Sequence, residues 1–173
     1  MRKTRIWITM VCCLFAATIF AGAQANMKPG LWEMTTNMTW QKSPMPPGIT
    51  LPAGVKSPFS GTTTTTTQVC ITQDRIDKFG GVVPPANGDC KMSNVVMKPT
   101  GMTADMVCTG RMNATATLEA SWAESNITRG KMHFVGTMDS GQSLLPIEYT
   151  IEFKLVFKGA DCGSVKPLPM PKN

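Results

Sequence analysis

Histidine is nearly missing from this chain: His133 is the single one in 173 residues, and Asp, Glu, Lys and Arg together make up only 16%. No G-x-S-x-G, P-loop, H-E-x-x-H or Rossmann glycine pattern occurs. His133 falls on the polar parity of its segment, where a solvated imidazole is the simplest reading. Asp74, Asp77 and Asp89 come nearest to a carboxylate cluster, but nothing around them in sequence would raise a carboxyl pKa for acid catalysis. Asp74 and Asp77 are better explained as complements to a helix dipole. The chemistry implied is that of a non-catalytic protein with no cofactor. Zinc is disfavoured too, because no C-x2-C or C-x4-C pair exists to seed a thiolate site. The basic residues are scattered rather than clustered, so nucleic acid is not an expected partner.

Residues 1–25 read as a cleavable signal peptide. Arg2, Lys3 and Arg5 form a positive start, Ile6–Phe20 is an apolar run, and Ala23-Gln24-Ala25 supplies small residues for cleavage. The run is short for a ~20-residue membrane span, which argues against a retained anchor. No transmembrane helix is then expected after cleavage, and the expected location is the periplasm. Cys12 and Cys13 leave with this segment, there being no Leu-Ala-Gly-like tripeptide before either. Three of the 17 basic residues leave and no acid does, so the formal charge falls from +6 to +3. That balance serves solubility. The rest is long enough for one domain with its own core, over 26–165, followed by a flexible tail over 166–173.

Lys28–Trp40 sets the pattern that the downstream strands repeat. Trp32, Met34, Met38 and Trp40 share one parity, broken only by Thr36. Glu33, Thr35, Asn37 and Thr39 share the other, which describes a two-faced strand. Pro29-Gly30 marks its start. Gln41–Ser60 then holds five prolines, which exclude a helix or inner strand and read as a long loop. Thr62–Thr67 is low-complexity, yet its β-branched side chains favour a strand through Cys70. A short helix is predicted over Gln73–Phe79. Thr72 caps it, Gly80 closes it, and Ile71 and Ile76 form a hydrophobic staple.

Cys70, Cys90, Cys108 and Cys162 remain in the exported chain, an even number that reads as two disulfides with three connectivities open. Cys90–Met97 and Met102–Cys108 pattern as a hairpin. With Cys90 opposite Cys108, Met92 faces Met106, Val96 faces Met102, and Met97–Gly101 is left as a five-residue loop. Both sulfurs then share a face, so the expected pattern is Cys90–Cys108 nested inside Cys70–Cys162. Alternation continues from Met112 to Trp122, with Gly110 either a bend in one strand or a turn between two. Ile127–Met138 and the strongly alternating Leu145–Phe157 complete the set.

Several of these pieces recur together: Pro29-Gly30-Leu31-Trp32-Glu33, the QVCIT run before a short acidic helix, GDCKMSNV, VCTGRM and a final Cys162. In that order they resemble the bacterial exported family catalogued as domain of unknown function 3617, over about residues 27–162. The resemblance implies a small periplasmic or envelope-associated β protein. It brings no established activity and no catalytic residues.

Six or seven strands with one apolar parity each cannot be covered by one short helix, so the sheet must curl or pair with a second. The expected fold is all-β: a strongly curved antiparallel sheet approaching a barrel, with a two-layer β-sandwich as the alternative. Twelve methionines lie beyond residue 25. Most share the apolar parity, where Met is adaptable filler. Thioethers also suit Cu(I), which keeps a copper-binding protein among the alternatives. The leading expectation is a binding module for a small apolar or amphiphilic ligand; a structural or interaction protein of the cell envelope, with an envelope protein as its partner, is the alternative. Met34, Met38, Trp40 and Phe134 are the candidate ligand residues. Trp40 and Met38 are expected to border an entrance beside the Gln41–Ser60 loop, and Trp32 to pack as a structural plug.

Overall fold

A computed structural model describes residues 27–45, 49, 52, 54–55, 57, 59–79 and 90–170. The predicted signal peptide, parts of the Pro-rich loop, Gly80 and Asp89 lie outside the described residues. Among the described residues, seven strands and one helix occur in order: β1 (Gly30–Lys42), β2 (Thr62–Ile71), α1 (Gln73–Phe79), β3 (Cys90–Lys98), β4 (Gly101–Cys108), β5 (Met112–Glu124), β6 (Ile127–Asp139) and β7 (Leu144–Gly159). These strands form one antiparallel sheet, ordered β2-β1-β7-β6-β5-β4-β3. The sheet does not close among the described residues; β2 and β3 are its two edges.

Parity decides what is buried. Trp32 on β1, Met102 on β4, Leu118 and Trp122 on β5 and Ile147 on β7 are almost wholly buried, and one apolar cluster runs from β2 across to β4. A flat sheet would leave these side chains wet, since α1 adds only Ile76 to the cluster. The sheet is therefore curled about its own apolar face. Gly130 on β6 lies opposite Phe153 on β7, and a Cβ at Gly130 would overlap the Phe153 ring. The glycine thus lets an aromatic ring lie against the backbone of the neighbouring strand. Pro146 sits within β7 without breaking a ladder on its β1 side, because β1 pairing stops at Lys42 opposite Glu148.

Gly110 turns the chain between two strands, at φ 103°, so the alternation from Met102 to Trp122 belongs to β4 and β5 rather than to one bent strand. The β3–β4 hairpin departs from the expected register. Cys90 faces Cys108 and Met92 faces Met106, but past Ser93 the register slips by one. Met97, not Val96, lies opposite Met102, and Lys98 opposite Gly101 leaves a two-residue Pro99-Thr100 turn instead of a five-residue loop. The cause is a β-bulge at Asn94, whose φ is 50° and whose amide donates to Asp105 at 2.8 Å. The extra residue reverses parity, turning Met97 inward while Val95 and Val96 stay exposed.

Helix α1 forms where its signals place it. The Thr72 hydroxyl accepts from the Arg75 amide at 3.3 Å, Asp74 pairs with Lys78 at 3.0 Å, and Ile71 and Ile76 are both buried. The segment after Cys162 runs beside this corner. Pro167 bridges Cys70 in parallel, the Leu168 amide donates to the Cys70 carbonyl at 3.0 Å, and buried Arg75 donates to the Pro169 carbonyl at 2.5 Å. Desolvation holds the Arg75 guanidinium below its ordinary pKa.

Candidate functional site

Inner-face side chains of β1, β7 and β6 meet in rungs fixed by the register. One rung joins Trp40, Tyr149 and Phe134. The Trp40 and Tyr149 ring centroids lie 4.8 Å apart, and Phe134 stacks on Tyr149 at 4.6 Å with the planes 10° apart. From the Pro-rich loop, Phe59 presents its edge to Trp40 at 5.4 Å. The result is a continuous chain of four aromatic rings spanning a loop and three strands. The Tyr149 hydroxyl donates to the Met112 sulfur at 3.4 Å, and burial pushes its pKa up to about 12.

Of the candidate ligand residues, Trp40 and Phe134 are thus brought together, with Tyr149 between them. Met38 lies one rung away, opposite Ile151. Met34 lies opposite Leu155, six residues or roughly 20 Å along the strand from Trp40, so it does not share the aromatic rung. Tyr149 and Phe59 are the members of the rung that sequence reasoning misses. Tyr149 does carry a signal, as the aromatic residue on the inner parity of the strongest alternating strand. Phe59 carries none, because nothing in a Pro-rich loop says which strand it will reach.

Burial is uneven along this face. Residues of β4 to β7 are mostly buried, whereas Met34, Met38 and Trp40 of β1 are only partly so. Beyond them every residue of β2 from Thr62 to Gln68 is exposed. The apolar face therefore ends at β1 in a half-covered margin, edged by threonine. Trp32 differs. It is fully buried, its indole nitrogen donates to the Lys28 carbonyl at 2.9 Å, and its ring meets Phe157 edge-on at 5.2 Å.

The polar face carries an open cleft of about 760 Å³, bordered by Asn37, Glu119, Arg129, Lys131, Glu152 and Lys154. Along one cross-strand row Glu119, Lys131 and Glu152 alternate in sign, and Lys131 reaches Glu152 at 3.9 Å. These side chains are mutually compensating and solvated. Also on this face, His133 lies 3.3 Å from Glu148. The hydrogen bond from Lys42 is the first cause holding the Glu148 carboxyl below its ordinary range.

The sulfurs of Cys70 and Cys162 lie 2.03 Å apart and those of Cys90 and Cys108 2.14 Å apart, so both pairs stand at disulfide distance. Among the described residues no three His, Cys, Asp or Glu side chains group as a metal site. Methionines do face each other across the ladders, as Met92 with Met106, Met97 with Met102 and Met112 with Met138. No helix among the described residues is long and apolar enough to cross a membrane.

A curled antiparallel sheet with two cysteine pairs at disulfide distance and one aromatic rung places the described residues in the all-β class. The family model described as "Protein of unknown function (DUF3617)" matches residues 27–162, and the chain belongs to that family. Neither a curated protein nor a solved structure matches it.

Proposed function

We propose that this chain is an exported, non-catalytic binding module that takes a small apolar or amphiphilic ligand along the β1 margin of its sheet. One observation carries the reading. The apolar face is mostly buried through β4 to β7, where Met112, Met138, Ile151 and Phe157 are the partly buried members, while on β1 Met34, Met38 and Trp40 are all only partly buried, next to the aromatic rung. Leaving such a strip wet costs free energy that a ligand would recover, at about 25 cal/mol per Å² of apolar area covered. The unbranched thioethers of Met34 and Met38 can follow ligands of different shape. Thr63 and Thr67 of β2, which lie opposite Met38 and Met34, offer hydroxyls at the rim for a polar head group.

Native mass spectrometry of protein purified without detergent from its own host tests this. The expected spectrum shows a chain beginning at Asn26 that carries an added mass which organic solvent strips away. Such a species should be depleted in Trp40→Ala. A bare chain that also fails to take up added fatty acid or lysophospholipid would refute the reading. A Cu(I) adduct in its place would favour the methionine pairs as the functional feature.

A further inference from the structure

The two edges of the sheet are built differently. On β3, the bulge at Asn94 breaks the ladder, and Lys91 and Lys98 put charge along the strand. Bulges and lysines are what keep edge strands from pairing with other chains. On β2, the stretch from Thr62 to Gln68 pairs without interruption to β1, carries no proline, charge or bulge, and is exposed at every residue. Unprotected edges of this kind are templates for strand addition.

Which main-chain groups are free can be read from two hydrogen bonds. The Cys70 carbonyl accepts from Leu168, so it points away from β1, and the Gly61 carbonyl accepts from Trp40, so it points toward β1. Amide and carbonyl of one residue point the same way in a strand, and the direction alternates along it. Thr62, Thr64, Thr66 and Gln68 therefore aim both groups outward, and Thr63, Thr65 and Thr67 aim theirs at β1. The segment at Pro167 and Leu168 already uses the free edge at Cys70. From Thr62 to Gln68 no strand among the described residues covers the edge.

We infer that this edge is a homodimer interface, in which β2 of one copy pairs antiparallel with β2 of another. A two-fold axis through Thr64 places outward-facing groups against outward-facing groups: Thr64 opposite its own copy, Thr62 opposite Thr66, and Thr63 opposite Thr65. From Thr62 to Thr66 every cross-strand pair is then threonine with threonine, a favourable pairing with no like charges opposed. The contact is isologous and consumes both β2 edges, so assembly stops at two copies with the guarded β3 edges outermost. An unrelated extended peptide would find no side-chain pockets along a strand of identical residues. A second copy needs none.

The test is light scattering after size-exclusion chromatography over a concentration series, with two variants. Thr64→Pro removes an outward amide while leaving the bonds from β2 to β1 in place, so the fold should persist by circular dichroism. Thr64→Lys sets two ammonium groups together at the axis. The wild type should be dimeric, and each variant should raise the dimer dissociation constant by roughly tenfold or more. The lysine variant should recover as salt is added. Hydrogen exchange gives a readout that a change in fold alone would not: Thr62, Thr64 and Thr66 amides should be slow in the dimer and fast in either variant, with Thr63 and Thr65 slow throughout. A monomeric wild type, a dimer indifferent to both variants, or open-ended aggregation would each overturn the inference.

Discussion

Tyr149 is the only tyrosine in the chain, so its ionisation can be followed alone by the near-ultraviolet absorbance of phenolate. Its ring lies between Trp40 and Phe134, only 7% of it is exposed, and its hydroxyl has a methionine sulfur as acceptor. A phenolate there would lose hydration and gain no counter-charge from sulfur, and burial accordingly moves the pKa from 10.0 to about 12. This fixes the sign of the stability effect. Below pH 10 folded and unfolded chains both keep the proton, and Tyr149 contributes no pH dependence. Between pH 10 and about 12 the unfolded chain ionises while the folded one does not, so stability falls as pH rises. The slope is about 1.4 kcal/mol per pH unit, a total of roughly 2–3 kcal/mol across the window. Spectrophotometric titration should find the phenolate near pH 12 in the native protein and near pH 10 in urea. Tyr149→Phe should abolish the signal and flatten that part of the stability profile relative to wild type. A native midpoint near 10 would refute the closed aromatic rung.

The same packing predicts further outcomes. Trp32→Ala should cost about 3–5 kcal/mol in urea unfolding, as for a fully buried aromatic, and Trp40→Ala clearly less; equal losses would mean that Trp40 is ordinary core. Non-reducing peptide mapping should recover Cys70 linked to Cys162 and Cys90 linked to Cys108, whereas a Cys70–Cys90 peptide would contradict the nested pattern. In the chain-entropy model, separations of 18 and 92 residues correspond to about 3 and about 4.5 kcal/mol respectively, so reduction should lower the melting temperature sharply. Gly130→Ala should destabilise by about 1–3 kcal/mol through overlap with the Phe153 ring and the Glu119 carbonyl. Phe153→Leu should recover part of that loss, and additive losses would place the strain elsewhere.

Much of this architecture is legible before any coordinates. Trp32 to Trp40, Met112 to Trp122 and Leu145 to Phe157 each announce a half-buried strand through parity alone. Thr72, Ile71 and Ile76 announce α1 by local chemistry. What stays hidden is what depends on distant partners. Nothing local says that β1 lies between β2 and β7, since Trp32 meets Phe157 across more than a hundred residues. The Asn94 bulge is hidden for the same reason: asparagine tolerates positive φ, but only the need to turn Met97 inward selects it there. At the candidate site, Trp40 and Phe134 could be named from parity, while Tyr149 as the ring joining them and Phe59 as their neighbour emerge only once the strands are in register.

Trp40 offers the most direct test of the binding margin, because Trp32 and Trp122 are fully buried and Trp40 is not. Titrating a lysophospholipid, below its micelle concentration, into protein stripped of bound mass should shift the emission to shorter wavelength, saturate, and protect Trp40 from iodide quenching. The shift should vanish in Trp40→Phe and persist in Thr64→Lys, which separates the margin from the β2 edge. Emission and quenching unchanged across the whole series would contradict ligand binding at β1.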